Sequence, residues 1–297
     1  MKRIIWPLIS CVSLGVGGLL GSYHQRRIER PSCDDIVQSR WSIFTHAATA
    51  KKQLPTPAPP NHSGEIMKFG FPGYDEIRTH DNYVLCYDCR MRNPKWVFEC
   101  LTREDVKYND AITRTNCQFE IDQSVHPFFQ STNKDYRGSG YDRGHMAAAA
   151  NHRRSDEVMQ QTFLLSNVSP QIGEGFNRGI WNDLEKYVRT LTKKYAKVYV
   201  CTGPLYLPYK EQKRTFVKYE VIGNSVAVPT HFFKIIVGET STQLFDLRAF
   251  VIPNSAIPDE THLERFLVPV DAIERAAGIL LFERLPKSAL RSVNAPL

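Results

Sequence analysis

Several signals that would place a chain in a specialised class are missing from this sequence of 297 residues. No internal repeat and no extended heptad pattern runs through it, which excludes solenoids and long coiled coils. No recognition helix or other base-reading motif is found, so sequence-specific DNA binding is not indicated. The seven cysteines are odd in number and scattered, unlike the framework of a disulfide-rich domain. What remains is the composition of an ordinary globular protein.

One cysteine pair, Cys86-x-x-Cys89, has the spacing of a zinc or redox motif. A structural zinc ion needs four ligands, and neither a second Cys-x-x-Cys nor a His pair at ligand spacing follows. The pair also lies in a strand-like run, whereas a redox motif would open a helix. The sequence favours small buried side chains with one exposed thiol. A zinc or redox protein stays an alternative, which stoichiometric zinc or a reducible disulfide in the purified protein would reveal.

The net charge of +7 is a poor argument for nucleic-acid binding, because it is unevenly distributed. Residues 1–30 carry five basic side chains and one acidic side chain, a net of +4, so the rest of the chain carries +3. A partner of negative charge would therefore need a local basic groove, not overall basicity.

The chain divides into three parts by composition. Residues 1–30 contain an apolar run between basic ends and have no acidic residue before Glu29. This pattern fits a secretory signal, a mitochondrial targeting segment with an apolar core, or a membrane helix, although the run is slightly short and diluted by glycine. Residues 31–64 form a proline-rich linker that favours extended chain. We expect the folded domain over residues 65–297.

Hairpin-spaced strands with few strand–helix–strand units predict an α+β fold with a largely antiparallel central sheet flanked by helices. Runs rich in β-branched and aromatic residues predict strands over residues 82–87, 95–101, 198–201, 225–228, 232–237 and 244–252. A turn is expected around residues 92–94. Ser155 is expected to cap a short helix that extends to about residue 162, and Gly278 is expected to end a helix over residues 271–277.

The stretch YRGSGYDRGHMAAAANH, residues 136–152, has the strongest functional signal. It places Arg143 and His145 beside the glycines at 138, 140 and 144, which allow positive-φ turns and close approach to a ligand. A histidine beside a fixed cation is placed to accept a proton. By itself such a histidine is more often structural than catalytic.

A long helix is predicted over residues 178–195, because its apolar side chains fall on one stripe at 100° per residue. Asn177 falls in the middle of that stripe and Asn182 on the side facing water, so Asn177 is the better candidate for a ligand. The alternative is that Asn177 only caps the helix. Glu185 falls on the rim, where pairing with Arg189 at i+4 is the alternative to a functional role.

These motifs resemble those of the DNA/RNA non-specific endonucleases that have a ββα-metal core. The resemblance extends from about residue 83 to about residue 281 and includes FLLSNVSPQ, WNDLEKY, VYVCTGPLYLP, VAVPTHFFK and LERFLVPVDAIERAAG. Asp142 is a further point of resemblance to the endonuclease branch of the family, because the exonuclease-like branch usually carries Ser at this position.

The resemblance implies a Mg²⁺-dependent hydrolase of phosphodiester bonds in DNA and RNA, with Mn²⁺ as a substitute. His145 would be the general base and Asn177 the single protein ligand of the metal, with Glu185 orienting metal-bound water. Arg143 would bind a phosphate oxygen, the alternative being an ion pair with Asp142 or another carboxylate. Asp142 is interpreted as structural support. Two weaker assignments are Arg114 as a second phosphate-binding side chain and Asn167 as a supporting active-site amide that contacts the substrate. The alternative for Asn167 is a turn residue.

The resemblance also implies a homodimer in the mitochondrial intermembrane space, with the N-terminal segment membrane-associated before processing. Mitochondrial nucleic-acid processing and, after relocation to the nucleus, apoptotic DNA fragmentation are the implied roles. The alternative is a catalytically silent member of the same fold that binds nucleic acid or a protein partner. Intact His145, Asn177 and Arg143 argue against it.

Overall fold

A computed structural model describes residues 62–295 of the chain. The predicted segment 1–30 and almost all of the predicted linker 31–64 lie outside the described residues. Helix α1 (His62–Ile66) is the first described element and straddles the predicted boundary at residue 65. No helix within residues 62–295 combines the length and the apolar character that crossing a bilayer requires.

A seven-stranded sheet forms the centre of the domain. Its strands are β1 (Ile77–Thr79), β2 (Tyr83–Asp88), β3 (Asn93–Leu101), β6 (Lys197–Leu205), β11 (His231–Glu239), β12 (Phe245–Pro253) and β13 (Leu290–Val293), in that spatial order. Every neighbouring pair is antiparallel except β12 and β13, which are parallel. The predicted α+β class with a largely antiparallel sheet is confirmed.

Residues 62–295 also contain three two-stranded sheets and four further α-helices. The strand pairs are β4 (Tyr141–His145) with β5 (Val168–Ile172), β7 (Tyr209–Glu211) with β8 (Arg214–Phe216), and β9 (Val221–Ile222) with β10 (Val226–Ala227). The helices are α2 (Asn133–Tyr136), α3 (Asp156–Gln161), α4 (Trp181–Leu191) and α5 (Val270–Ala277). Ser155 caps α3 by accepting a hydrogen bond from the Val158 amide, and Gly278, at φ 66°, ends α5, both as predicted.

The turn predicted around residues 92–94 lies slightly earlier. Asn93 and Pro94 already pair within the β2–β3 ladder, and Arg92 turns the chain with a φ of 54°. Asn93 can occupy the strand because its buried side-chain amide donates to the carbonyls of Met91 and Ala227. The prediction was shifted by assigning Asn-Pro to a turn on local propensity alone.

The central sheet separates two hydrophobic cores. Along β2, Val84 and Cys86 face one core while Tyr83, Leu85 and Tyr87 face the other, as the two-residue period of a strand requires. Helices α1 and α5 cover the first face, through Ile66 and Ile273 among others. Helix α4 covers the second face with Trp181, Leu184 and Val188. The site described below lies on the α4 side.

The edge strand β13 is attached to β12 through a buried carboxylate, Asp246. Its oxygens accept hydrogen bonds from the Tyr195 hydroxyl at 2.5 Å, the Ser292 hydroxyl at 2.7 Å and the Arg291 Nε at 2.9 Å. The bonds from Arg291, followed by those from Tyr195 and Ser292, hold the pKa of Asp246 well below its ordinary range.

Asp246→Asn is therefore expected to lower the free energy of unfolding by about 1.5–3 kcal/mol at pH 7, the usual contribution of hydrogen bonds to a charged group. A carboxyl with a depressed pKa stabilises the fold above its unfolded pKa of about 3.9 and loses that contribution as the pH falls. Acid denaturation of the wild type should therefore include a loss that the variant lacks. Urea unfolding between pH 3 and 7 measures both effects.

Asp183→Asn is the matched control for this test. Asp183 is exposed and pairs only with the exposed Lys186 at 2.9 Å, and such pairs contribute about 0–1 kcal/mol. If Asp246→Asn and the wild type lose stability in parallel as the pH is lowered, the proposed contribution of Asp246 is wrong.

Candidate active site

The hairpin β4–β5 and the helix α4 that follows it form one side of an open cleft of about 800 Å³. Strand β4 pairs with β5 so that Asp142 faces Gln171 and His145 faces Val168 across the ladder. The cleft is lined by Arg114, Phe119, Asn133, Tyr136, Arg137, Tyr141, Asp142, Arg143, His145, Ala148, Ala149, Ala150, Arg153, Met159, Asn177, Arg178, Asn182, Glu185 and Arg189. The stretch of residues 136–152 therefore supplies much of its wall.

Gly144 has a steric reason to lie between Arg143 and His145. A Cβ atom at this position would come within 2.0 Å of Oε1 of Gln171, whose side chain is fully buried. Gly138 and Gly140 have positive φ values of 71° and 82°, as the turn before β4 requires. Gly144 thus provides close packing between the two strands, whereas the other two glycines provide the turn.

The imidazole of His145 is buried between two aromatic rings. Its ring centroid lies 5.2 Å from that of Phe119 and 4.7 Å from that of Phe163, and its Nε2 has no hydrogen-bond partner. Burial, with a smaller effect of the positive Arg114, lowers the pKa of His145 to about 3. The imidazole is therefore neutral at physiological pH and can accept a proton.

Asn177 lies before the regular part of the helix and is not its N-cap. Residues Gly173–Ile180 form an irregular helical segment with non-helical backbone angles at Glu174, Gly175 and Gly179, and the N-cap of α4 is Ile180. The helix is shorter than the predicted residues 178–195 because it starts at Trp181 and ends at Leu191. The capping alternative for Asn177 is therefore wrong.

The side chain of Asn177 is instead held by Asp142. Asn177 Nδ2 donates to Asp142 Oδ2 at 2.9 Å, and the same carboxylate lies 3.7 Å from Arg178 Nε. No described residue donates a hydrogen bond to Asn177 Oδ1, so this oxygen is free to coordinate a metal ion in the cleft. An amide oxygen fits Mg²⁺, which prefers oxygen ligands and retains several waters. Within residues 62–295 no three His, Cys, Asp or Glu side chains gather to form an alternative metal site.

Glu185 lies one and a half turns along from Ile180 and reaches the same cleft. Burial raises the pKa of its carboxyl to about 7, although Lys234 and Arg189 act in the opposite direction. Arg189 makes no ion pair with Glu185 in the described structure, since its Nη1 donates to Asn151 Oδ1 at 3.2 Å. Asn182 also lines the cleft and is half-buried, so its predicted water-facing side opens into the cleft.

Arg143 and Arg114 both border the cleft. Arg143 Nη1 donates to Asn133 Oδ1 at 2.6 Å, and its guanidinium lies 4.6 Å from the centre of the Phe119 ring. The suggested ion pair of Arg143 with Asp142 is not formed. Arg114 is exposed and lies 5.7 Å from the centre of the Phe163 ring. Both guanidinium groups therefore keep N–H donors available for an anion.

Four further arginines of the cleft were missed by the sequence analysis as site residues: Arg137, Arg153, Arg178 and Arg189. Against six arginines, the cleft has only two acidic side chains, Asp142 and Glu185. The local basic groove that overall charge could not establish is therefore present. The arginines come from separate segments with no common spacing, so only the fold could have brought them together.

Asn167 is not brought to the cleft. It is fully buried, its Oδ1 accepts from the Ala147 amide at 2.9 Å, and its Nδ2 donates to the carbonyls of Ala147 and Thr162. With its amide fully used in this way, Asn167 cannot contact a substrate. It fixes the chain just beyond His145, which corrects the predicted substrate contact.

Cys86 and Cys89 do not form a metal or redox site. Cys86 packs in the α5-side core and Cys89 against the α4-side core, and both are free thiols. Burial raises the pKa of Cys86 to about 11 and that of Cys89 above its ordinary value, so neither is an activated thiolate.

A hairpin followed by a helix, with a neutral histidine and an asparagine oxygen opening into one arginine-lined cleft, defines a nuclease of the ββα-metal class. The chain belongs to the DNA/RNA non-specific endonuclease family, whose model matches residues 62–288. It is accordingly a DNA/RNA endonuclease, a hydrolase of phosphodiester bonds.

Within the family the chain is similar to endonuclease G. It is 45% identical to the mitochondrial endonuclease G of Bos taurus over 300 residues, covering 99% of each chain. It is 49% identical to that of Homo sapiens over 236 residues, or 78% of each chain. A crystal structure of an EndoG/EndoGI complex matches with a TM-score of 0.79 and 54% identity, covering 80% of this chain and 98% of that one. The predicted resemblance to the endonuclease branch is confirmed.

Proposed function

We propose that the protein is a Mg²⁺-dependent, sugar-non-specific endonuclease that uses His145 as its general base. The observation that supports this most is the neutral imidazole of His145, which lines the cleft among its arginines. A water molecule beside a bound phosphodiester would give its proton to this imidazole as it attacks phosphorus. The negative charge of the substrate would raise the pKa of His145 from about 3 toward the working pH, which strengthens the base.

Asn177 is the residue proposed to hold the metal, through the Oδ1 that no described side chain occupies. When bound, Mg²⁺ or the substituting Mn²⁺ supplies neutralisation of the charge that develops on the phosphate and the leaving oxygen. Asp142 fixes which end of the Asn177 amide faces the cleft by accepting from its Nδ2. Glu185 is proposed to orient water on the same side, in the ionised form that a nearby cation favours.

Arg143 and Arg114 are proposed to bind the oxygens of the scissile phosphate. A guanidinium group offers two parallel N–H donors to a phosphate and keeps its charge at every physiological pH. Stacking on Phe119 and Phe163, respectively, limits the freedom of the two side chains before substrate binds. A cleft of this composition contacts the backbone and not the bases, so we propose cleavage of both DNA and RNA with little sequence preference.

The cellular setting is proposed from the relatives, which are named as mitochondrial nucleases. We propose that this protein also acts in mitochondria, in the intermembrane space, as a homodimer whose residues 1–30 direct import and associate with the membrane before processing. Processing of mitochondrial nucleic acid and, after release to the nucleus, fragmentation of DNA in apoptosis are the proposed roles. Analytical ultracentrifugation of the purified protein tests the dimer directly.

The test of the proposed function is a cleavage assay with the full-length protein. Supercoiled plasmid and a single-stranded RNA are each incubated with Mg²⁺, with and without EDTA. We expect nicking of the plasmid and degradation of the RNA, both stopped by EDTA because the metal is removed. Cleavage that persists in EDTA would contradict the metal requirement, and cleavage of only one nucleic acid would contradict the lack of sugar specificity. No cleavage in any tube would favour a catalytically silent member of the fold.

A further inference from the structure

An exposed hairpin outside the cleft carries an unusual concentration of positive charge. Strands β7 and β8 and the two residues that follow them, residues 209–218, have the sequence YKEQKRTFVK and are called the basic hairpin below. It contains four cations, Lys210, Lys213, Arg214 and Lys218, and one anion, Glu211. Its net charge of +3 equals that of the whole chain after residue 30, so the remainder of that region is neutral overall.

One of the four cations is engaged within the hairpin itself. Lys218 Nζ lies 2.9 Å from Glu211 Oε2 and between the rings of Tyr209 and Phe216, at 5.2 and 5.1 Å from their centres. These contacts link the two arms of the hairpin and the segment that leaves it. Glu211 is therefore paired with Lys218, and it is not available to neutralise the other three cations.

Within residues 62–295 no side chain pairs with the other three cations, which are Lys210, Lys213 and Arg214. All three are exposed, and no salt bridge or hydrogen bond of their side chains is formed. Gln212, at the tip between them, has a φ of 54°, so the turn presents Lys213 and Arg214 side by side at the start of β8. Three like charges held together without a counter-charge cost free energy by mutual repulsion. An anionic partner relieves that cost.

The basic hairpin connects directly to the rim of the cleft. Glu220, two residues after the hairpin, accepts a hydrogen bond of 2.7 Å from the hydroxyl of Tyr141, which lines the cleft. Four residues separate Phe216 at the end of β8 from this contact, and an extended chain covers at most about 3.3–3.6 Å per residue. Phe216 therefore lies at most about 14 Å from the Tyr141–Glu220 contact, a distance that about four base pairs of duplex cover at 3.4 Å each.

We infer that the basic hairpin is a second contact for nucleic acid, which binds backbone phosphates of a duplex beside the segment held in the cleft. This inference rests on the proposed function and extends its substrate-binding surface beyond the cleft. The hairpin touches no reacting atom, so its contribution is to affinity. Its cations would anchor long substrates while the cleft carries out the reaction.

The inference is tested with full-length protein in which Lys213→Gln and Arg214→Gln are combined. In the His145→Ala background, binding of a 24-base-pair duplex is followed by fluorescence anisotropy between 50 and 200 mM salt. Loss of two phosphate contacts should weaken binding by about 10- to 100-fold at the lower salt concentration and reduce the slope of log K against log salt by about 2. In the otherwise wild-type protein, KM for the same duplex should rise while kcat stays unchanged.

The matched control combines Arg284→Gln with Lys287→Gln. This pair removes the same charge from exposed positions near α5, on the opposite face of the sheet from the cleft. Its slope and KM should equal those of the parent protein. Thermal unfolding of both double variants establishes that each remains folded.

Three outcomes would overturn the inference. The first is an unchanged salt slope in the hairpin variant, and the second is an equal effect of the control pair. The third is loss of cosedimentation with phosphatidylserine vesicles without any change in duplex binding, which would make the hairpin a membrane contact. A protein that cleaves nothing but still shows the slope difference would disprove the proposed function and leave the hairpin contact supported.

Discussion

Replacement of His145 by alanine is expected to slow DNA cleavage by about 100- to 10,000-fold, the usual contribution of a general base. Among the described residues His145 is the only histidine that lines the cleft, and its low pKa keeps the imidazole neutral. No other side chain described in the cleft is a neutral base of this kind. Single-turnover cleavage of a labelled duplex measures the loss.

DNA affinity separates this role from a structural one. His145 makes no hydrogen bond through Nε2, so its removal should leave the arginines in place and the dissociation constant within about twofold of the wild type. His145→Gln, which retains most of the side-chain volume between Phe119 and Phe163, should be equally inactive. The control is His262→Ala, because His262 is exposed and outside the cleft, and it should cleave normally. Full activity of either His145 variant would refute the assignment.

Replacement of Asn177 by alanine is expected to have the second large effect, a loss of metal affinity together with a loss of cleavage. The loss should be at least the 10- to 100-fold that removing an outer-shell group of a metal site costs, since Asn177 is proposed as a direct ligand. Binding of Mn²⁺, followed by its electron paramagnetic resonance signal, measures the affinity without any need for catalysis.

Two comparison variants make the Asn177 test decisive. Asn182→Ala removes the other asparagine of the cleft and should weaken Mn²⁺ binding far less. Asp142→Leu removes the acceptor that orients Asn177, and it should weaken Mn²⁺ binding by an intermediate factor of about 10–100. If Asn182→Ala abolishes Mn²⁺ binding and Asn177→Ala does not, the ligand has been assigned to the wrong residue.

The parts of the site that depend on periodicity could be predicted from the sequence. The stripe of Ile180, Leu184, Val188 and Leu191 is buried as the helical period indicates. The strand runs and the end of α5 at Gly278 were predicted for the same kind of reason, because local patterns and caps determine them. Asn177 was favoured over Asn182 by its position relative to that stripe.

The start of helix α4 could not be predicted, because its cause is not local. Gly175 has a φ of 73°, and a Cβ there would come within 2.8 Å of the backbone nitrogen of Ile257, 82 residues along the chain. The partner of Asn177 is Asp142, thirty-five residues earlier. Both contacts interrupt regular helix geometry in a segment whose sequence pattern continues the helix.

The environment of Glu185 was misjudged for a related reason. A helical projection places this residue at the edge of the apolar stripe. The projection contains no information on which other elements pack against that edge. In the fold, burial raises the pKa of the carboxyl, and the buried Lys234 from strand β11 has the largest opposing effect. Asn167 illustrates the converse, since a polar residue in a functional motif was interpreted as a substrate contact although its bonds are all to backbone.

The missing hydrogen-bond partner of His145 Nε2 has a consequence for attempts to engineer this protein. A buried polar atom without a partner costs the fold roughly 1–3 kcal/mol, and an apolar side chain of similar shape between Phe119 and Phe163 would remove that cost. Screens that reward heat resistance alone would therefore enrich substitutions at this position and collect robust but inert variants. Directed evolution needs a counter-selection for turnover at every round.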